Sequence, residues 1–286
     1  MASMREIKRR KSSITSTQQI TKAMKLVSTV KLQRAKGKAE ATKPYFDCMY
    51  DTVARMLSRS GNIDHPYLKS GASSKKAVIA ITSNRGLAGG YNNNIVKLIV
   101  GSEELSKENC EIYALGKKGR DGLAGKGYEI AQDLSEVMNG PMFSDAKELC
   151  TTLLGRFEKG EIGEIYLAYT VFKNTVTHVP TLLKLLPVEM NAGETKGEED
   201  KTPMNYEPDE EETLGMIIPK YITSLIYGGM MEAVASENGA RMQAMDSATS
   251  NAEEMIQKLS LDYNRARQGS ITQELTEIIA GAQAIS

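Results

Sequence analysis

The sequence is poor in the residues that carry chemistry. It has three cysteines, Cys48, Cys110 and Cys150, far apart and without a CxxC pair, which argues against a disulfide framework or a zinc site and fits a reducing, intracellular compartment. Its only histidines, His65 and His178, lack a nearby Ser, Cys or acidic constellation. No HExxH, GxSxG elbow or metal-ligand set occurs. Hydrolytic or metal chemistry therefore has no residues to rest on, and no catalytic residue, metal or cofactor is expected. No apolar run reaches the roughly 18 residues of a membrane span, and MASMREIKRRKSS at the start is followed by no apolar stretch like a signal peptide's. Work at a membrane would need another protein to hold the chain there.

Net charge is also lacking, because 36 basic residues balance 36 acidic ones. The balance hides polarity along the chain. Residues 1–43 carry twelve basic side chains against Glu6 and Glu40, whereas residues 191–212 carry nine acidic ones against Lys196 and Lys201. The cluster Arg5, Lys8, Arg9, Arg10 and Lys11 would suit nucleic acid, but no nucleic-acid fold signature or interleaved aromatics accompany it. A charged face seeking carboxylates on a protein partner is the favoured reading.

What is abundant is helical sequence. From Ser3 to about Ser58 the chain is rich in Lys, Arg, Ala, Met and Leu, with Ile7, Ile14, Ile20, Met24, Val27 and Val30 at roughly helical intervals. The pattern is patchy, with Thr17, Thr21 and Ser28 among its apolar positions. One long helix is predicted, bent or divided at Pro44 because proline lacks the required N–H. A second helix starts after Pro208, where Asp209 can cap and Glu210, Glu211 and Glu212 complement the helix dipole. Along it Ala235, Asn238, Met242, Met245, Thr249, Ala252, Ile256, Leu259, Tyr263 and Ala266 follow alternating steps of three and four, a heptad seam. A helix of about 75 residues would span about 110 Å, more than a compact domain of this mass can bury. The seam's polar and small residues suit a slender intrachain antiparallel pair better than a strong dimer zipper. Met24, Met230, Met231, Met242, Met245 and Met255 are core residues by default, and methionine also makes soft, adaptable contact surfaces.

Between these helices the period shortens. Strands are predicted at Ala77 to Thr82, Glu111 to Leu115 and Glu164 to Phe172, with a further one within Thr175 to Val188. Helices are predicted at Asn93 to Lys107, Lys117 to Lys126 and Ser144 to Lys159. The alternation implies parallel pairing in an α/β layer architecture. The division expected is a helical shaft from residues 1–60 and 209–286, a globular α/β domain over 75–190, and a mobile acidic loop over 191–208. Ser83 to Asn92, NRGLAGGYN after its first serine, lies between a strand and a helix, where phosphate loops sit. It lacks both the GxxxxGK[ST] and the GxGxxG spacing, so a structural glycine turn is the favoured reading. A nucleotide-binding α/β protein and a basic coiled-coil adaptor stand as the alternative functions.

Long stretches of the chain resemble one family. Arg5-Glu6-Ile7-Lys8-Arg9-Arg10 with Thr17 to Val27, Ser236 to Thr249, and Tyr263 to Leu275 are similar to the terminal signatures of the gamma subunits of F-type ATP synthases. Thr82 to Asn94 and Gly116-Lys117-Lys118-Gly119-Arg120 resemble that family's central motifs, so the likeness covers essentially the whole chain. It implies an antiparallel coiled coil of the N- and C-terminal helices plus a Rossmann-like α/β globular domain, and a non-catalytic rotor shaft coupling ion flow to ATP synthesis or hydrolysis. The implied partners are the alpha and beta subunits, epsilon and the membrane c ring, with one copy of this chain per complex, peripheral at the cytoplasmic face of a bacterial cell membrane. By the same resemblance, Met24, Lys25 and Arg241 would meet the beta-subunit lever, and Arg267, Gln268 and Thr272 would make polar contacts higher in the ring. Two positions depart from the family pattern: Asn238-Gly239 stands where His-Ala is common, implying local softening, and Asn84 replaces the usual Asp. The cysteine-bearing insertion of chloroplast relatives is missing, so no thiol switch is expected.

Overall fold

The computed structural model describes residues 4–59, 65–188, 206–207 and 209–285. The acidic stretch expected to be a mobile loop lies almost entirely outside these residues. Two helices of great length frame the fold: α1, Met4–Arg59, and α5, Glu210–Ile285. Between them come β1 Lys76–Ile81, α2 Tyr91–Val100, β2 Cys110–Leu115, α3 Lys117–Ala124, β3 Glu129–Asp133, α4 Phe143–Glu158, β4 Glu164–Phe172 and β5 His178–Leu186. The chain divides into two compact units, one of residues 1–28 with 241–286 and the other of residues 29–240.

Pro44 lies inside α1 without dividing it, and α5 likewise continues through Pro219. The start of α5 follows its predicted chemistry: the Asp209 carboxylate accepts the Glu212 N–H at 2.8 Å, satisfying one of the donors that a helix leaves open at its first turn.

In the larger unit the strands form one sheet in the order β3-β2-β1-β4-β5. β3, β2, β1 and β4 run parallel, and β5 returns antiparallel to β4. Alternating residues feed two cores. Ile79, Ile81, Leu115, Ile165 and Leu167 pack with Leu149, Leu153 and Phe157 of α4, Val53 and Met56 of α1, and Leu214, Ile218, Ile222 and Ile226 of α5. On the other face Val78, Ala80, Ile112, Ala114 and Ala168 pack with Ile95 and Ile99 of α2 and Leu123 of α3. β1, β2 and β4 are thus covered on both faces, the reason they read as continuous apolar runs. β3 was not anticipated, because its residues Glu-Ile-Ala-Gln-Asp form an exposed edge with no apolar alternation. Arg156 of α4 ties this unit together internally: its guanidinium pairs with buried Glu111, bonds the Tyr113 hydroxyl, and holds Glu161 at 2.8 Å.

The smaller unit is an antiparallel helical pair. Lys25 Nζ meets Asp246 Oδ1 at 2.6 Å and the Thr249 hydroxyl donates to the Thr21 hydroxyl at 2.8 Å. A step back along α1 is thus a step forward along α5. The α5 seam falls where its spacing placed it: Met242, Met245, Thr249, Ala252, Ile256, Leu259, Tyr263 and Ala266 are all buried or half-buried. The α1 reading needs correction. Ile20 and Val27 are 60% and 57% exposed, and Val30, in the larger unit, is 49% exposed. The residues turned inward are Met4, Ile7, Lys11, Ile14, Gln18, Thr21, Lys25 and Ser28, in strict steps of three and four. Ile7 and Ile14 thus hold the inward places their spacing gave them, and the reading fails at Ile20, Val27 and Val30 because small and hydrogen-bonding side chains at Gln18, Thr21, Lys25 and Ser28 fill the rest of the seam.

Candidate functional site

Two places carry the residues singled out by sequence: the helical pair and the glycine turn. All six expected contact residues lie in the smaller unit. Met24 is half-buried beside the seam, and Lys25 is half-buried with its ammonium on Asp246. Asp246 escaped notice in the sequence, although the heptad register of the two helices, once aligned, sets it opposite Lys25. Arg241 is buried. Arg267, Gln268 and Thr272 are fully on the surface, and the Thr272 hydroxyl donates to the Gln268 carbonyl at 3.0 Å. Met24, Lys25 and Arg241 are thus set into the rod, and the other three ride on its outside.

The rod has a bare end. Carrying the Lys25 and Asp246 register to Met4, where the described part of α1 begins, brings the pairing just past Ala266. Beyond Ser270 every described side chain of α5 is exposed, including Ile271, Leu275, Ile278 and Ile279. Ile20, Leu26 and Val27 add exposed apolar surface on α1. An isolated protein gains nothing by turning these side chains to water.

The glycine turn lies at the carboxyl end of β1 in the larger unit. Amides at a helix N-terminus can bind phosphate only if they are free. Here they are used internally. At the start of α3, the Lys117 N–H donates to Asn84 Oδ1 at 3.0 Å, that of Lys118 to the Ser83 carbonyl at 3.1 Å, and that of Gly119 to Thr82 Oγ1 at 2.9 Å. At the start of α2, the Tyr91 N–H donates to the Ala88 carbonyl. The turn also holds Leu87, 63% exposed, at a φ of 62°. Asn84 uses both halves of its amide, donating to the Ser135 carbonyl at 2.8 Å while accepting from Lys117. A carboxylate could accept but not donate, so the departure from Asp exchanges a charge for a cross-link to the segment after β3. These bonds support the structural reading of the turn.

Both histidines are turned toward α5. Burial lowers the pKa of each, although Glu211 and Glu158 pull His65 upward. Burial raises the thiols of Cys110, to about 11, and Cys150, which leaves them poor nucleophiles. Among the described residues no group of three or more His, Cys, Asp or Glu side chains is placed to hold a metal ion, and no helix is long and apolar enough to cross a membrane.

Comparison with known proteins decides the family. The family model described as ATP synthase matches residues 3–285. The ATP synthase gamma chain of Lachnoclostridium phytofermentans is 66% identical over 292 aligned positions, covering 100% of both chains. The chain belongs to the ATP synthase gamma family. A second gamma-chain relative, from Acetobacterium woodii and described as sodium ion specific, is 41% identical with 99% of each chain covered. A chain of the Euglena gracilis mitochondrial ATP synthase, in a structure of its OSCP, F1 and c-ring in one rotational state, superposes with a TM-score of 0.67 over 99% of this chain and 94% of that one. At 19% identity that likeness speaks for the fold alone.

Proposed function

We propose that this gamma-family chain is the central rotor of an F-type ATP synthase, a non-catalytic subunit present once per complex and peripheral to the cytoplasmic face of the bacterial cell membrane. The helical shaft, residues 1–60 and 209–286, turns inside the ring of alpha and beta subunits. The globular part, residues 75–190, joins epsilon and the c ring. The observation that carries this reading is the end-to-end 66% identity with a gamma chain. The bare apolar end of α5 and the exposed Ile20, Leu26 and Val27 agree with a shaft whose outer surface works against surrounding subunits.

A shaft can change a catalytic site only through contacts that differ between that site's conformations. A rod with identical faces would select nothing. In this reading Met24 and Lys25 meet the beta-subunit lever with a thioether and a cation, Arg241 lies alongside them on the opposing helix, and Arg267, Gln268 and Thr272 make the upper polar contacts. Arginine engages carboxylates through a planar fork, which tolerates changing partners without loss of charge.

Co-expression with the alpha and beta subunits of the same organism, followed by native mass determination and an ATPase assay, tests the proposal. The expected product is a complex of about three alpha, three beta and one gamma chain, a closed ring around a single asymmetric axle. Its multisite ATPase activity is expected to disappear when the basic N-terminus and roughly the last three heptads of α5 are both removed. A soluble chain that never enters the ring overturns the function and leaves the fold intact. A sharper expectation concerns Met24→Lys, which sets a second cation beside Lys25 and its Asp246 partner. Protons or sodium ions moved per ATP hydrolysed should fall several-fold while thermal stability changes by less than about 1 kcal/mol. Unchanged coupling in this variant counts against the contact assignment.

A further inference from the structure

The two histidines of the chain share an arrangement: each ring nitrogen Nε2 lies where a glycine of α5 has no side chain. A Cβ built on Gly215 would come to 3.4 Å from His65 Nε2, and one built on Gly239 would come to 2.6 Å from His178 Nε2. The second distance is shorter than real Cβ contacts allow. Glycine in the middle of a helix costs roughly 1 kcal/mol relative to alanine. At position 239 the cost has a physical return, since it makes room for an imidazole from the first residue of β5.

The His178 ring is clamped. Phe172, its cross-strand partner on β4, stacks at a tilt with ring centroids 5.9 Å apart, and Gly239 backs Nε2 from α5. Nε2 is shielded from solvent and has no hydrogen-bond partner among the described residues. The neutral imidazole tolerates this with Nε2 as an idle acceptor. Protonation turns Nε2 into an N–H donor that is shielded and unpartnered, which disfavours the charged ring while the contact is closed.

We propose that His178 and Gly239 form an acid-released latch that holds the β4–β5 hairpin against α5 near neutral pH and frees it when the imidazole takes up a proton.

The charged groups on the packed elements do not offset that proton. Lys173 follows β4; Glu232 and Glu237 lie on α5; Lys43 of α1 acts on Glu232. Burial is the sole cause of the lowered pKa of His178. Glu232 accepts the Phe172 N–H at 3.3 Å, and its own burial raises its pKa, so its negative charge fades as acid is added. His65 differs. Burial lowers its pKa too, but Glu211 and Glu158 partly offset that cost, and it does not touch the β4–β5 hairpin's Gly239 contact, which rests on His178.

The sign follows from linkage. Because burial holds the folded pKa of His178 below the ordinary imidazole value of about 6.5, the latch is intact above that value and weakens as pH falls below it, since the open state binds the proton first. The test is hydrogen exchange of the hairpin amides in the full chain from about pH 7.5 to about pH 5, corrected for intrinsic rates, with the His178 ring protons titrated by NMR. Opening should rise on acidification by about tenfold for each unit separating the open and closed pKa values. His178→Gln should flatten this dependence, His65→Gln should leave it in place, and Gly239→Ala should open the hairpin already at neutral pH. Retention of the full pH dependence in His178→Gln overturns the latch. Should that variant fail to fold, the wild-type titration decides: a His178 midpoint at or above 6.5, or hairpin amides that do not follow it, overturns the proposal equally.

Discussion

Gly116→Ala is expected to destabilise the larger unit by about 4 kcal/mol. Two costs combine. Gly116 sits at φ 126° and ψ 131°, a region nearly reserved for glycine, where another residue costs about 1–3 kcal/mol. A Cβ there would also lie 2.3 Å from the Thr82 carbonyl oxygen and 2.6 Å from Thr82 Oγ1. These are backbone and buried atoms at the turn's centre, and overpacking of this kind adds about 1–3 kcal/mol. Against a typical total of about 5–15 kcal/mol, that loss consumes much of the domain's stability. Gly155→Ala is the internal control. Gly155 lies within α4, and a Cβ there would have no neighbour within 4 Å; that change should stabilise by roughly 0.5–1 kcal/mol. Urea unfolding of both variants checks the pair, and similar midpoints would refute the account of the turn.

Arg156→Met is expected to cost about 3 kcal/mol, because it strands a carboxylate. The Glu111 side chain is only 6% exposed and receives both guanidinium nitrogens Nη1 and Nη2, the latter at 3.2 Å from Oε2. Without Arg156 the donor left to it among the described residues is the Tyr113 hydroxyl at 3.2 Å. Breaking a buried pair from one side costs about 3–5 kcal/mol, and the partial exposure of Arg156, 28%, places this case at the lower end. The companion Glu111→Gln with Arg156→Met should be markedly less damaging than Arg156→Met alone, since no buried charge is then left unpaired. Denaturant midpoints of the singles and the double measure the coupling. Strict additivity would mean that the pair contributes no specific interaction.

The parts legible from sequence were those governed by local spacing. The α5 seam from Met242 to Ala266 could be read because a heptad repeat reports its own buried face. The cap at Asp209 and strands β1, β2 and β4 followed from residue chemistry and length. β3 was invisible because an edge strand needs no apolar face, and α1 misled because its inward positions at Gln18, Thr21, Lys25 and Ser28 are polar or small. For the candidate site, the family resemblance supplied Met24, Lys25, Arg241, Arg267, Gln268 and Thr272. It did not supply Asp246, which is separated from Lys25 by 221 positions and becomes a partner only when the helical register is set.

The sequence by itself determined the periods: two long helices, an alternating α/β centre, and glycines where the chain turns. Tertiary structure alone decided that Ile20, Val27 and Val30 of α1 face outward, why helix α5 carries Gly239 opposite His178, and which amides at the glycine turn are occupied. The physical reason is range. Periodicity and capping act over a few residues, whereas a hydrogen bond from Thr249 to Thr21, or a ring filling the space of a missing Cβ, depends on segments that only the folded chain brings together.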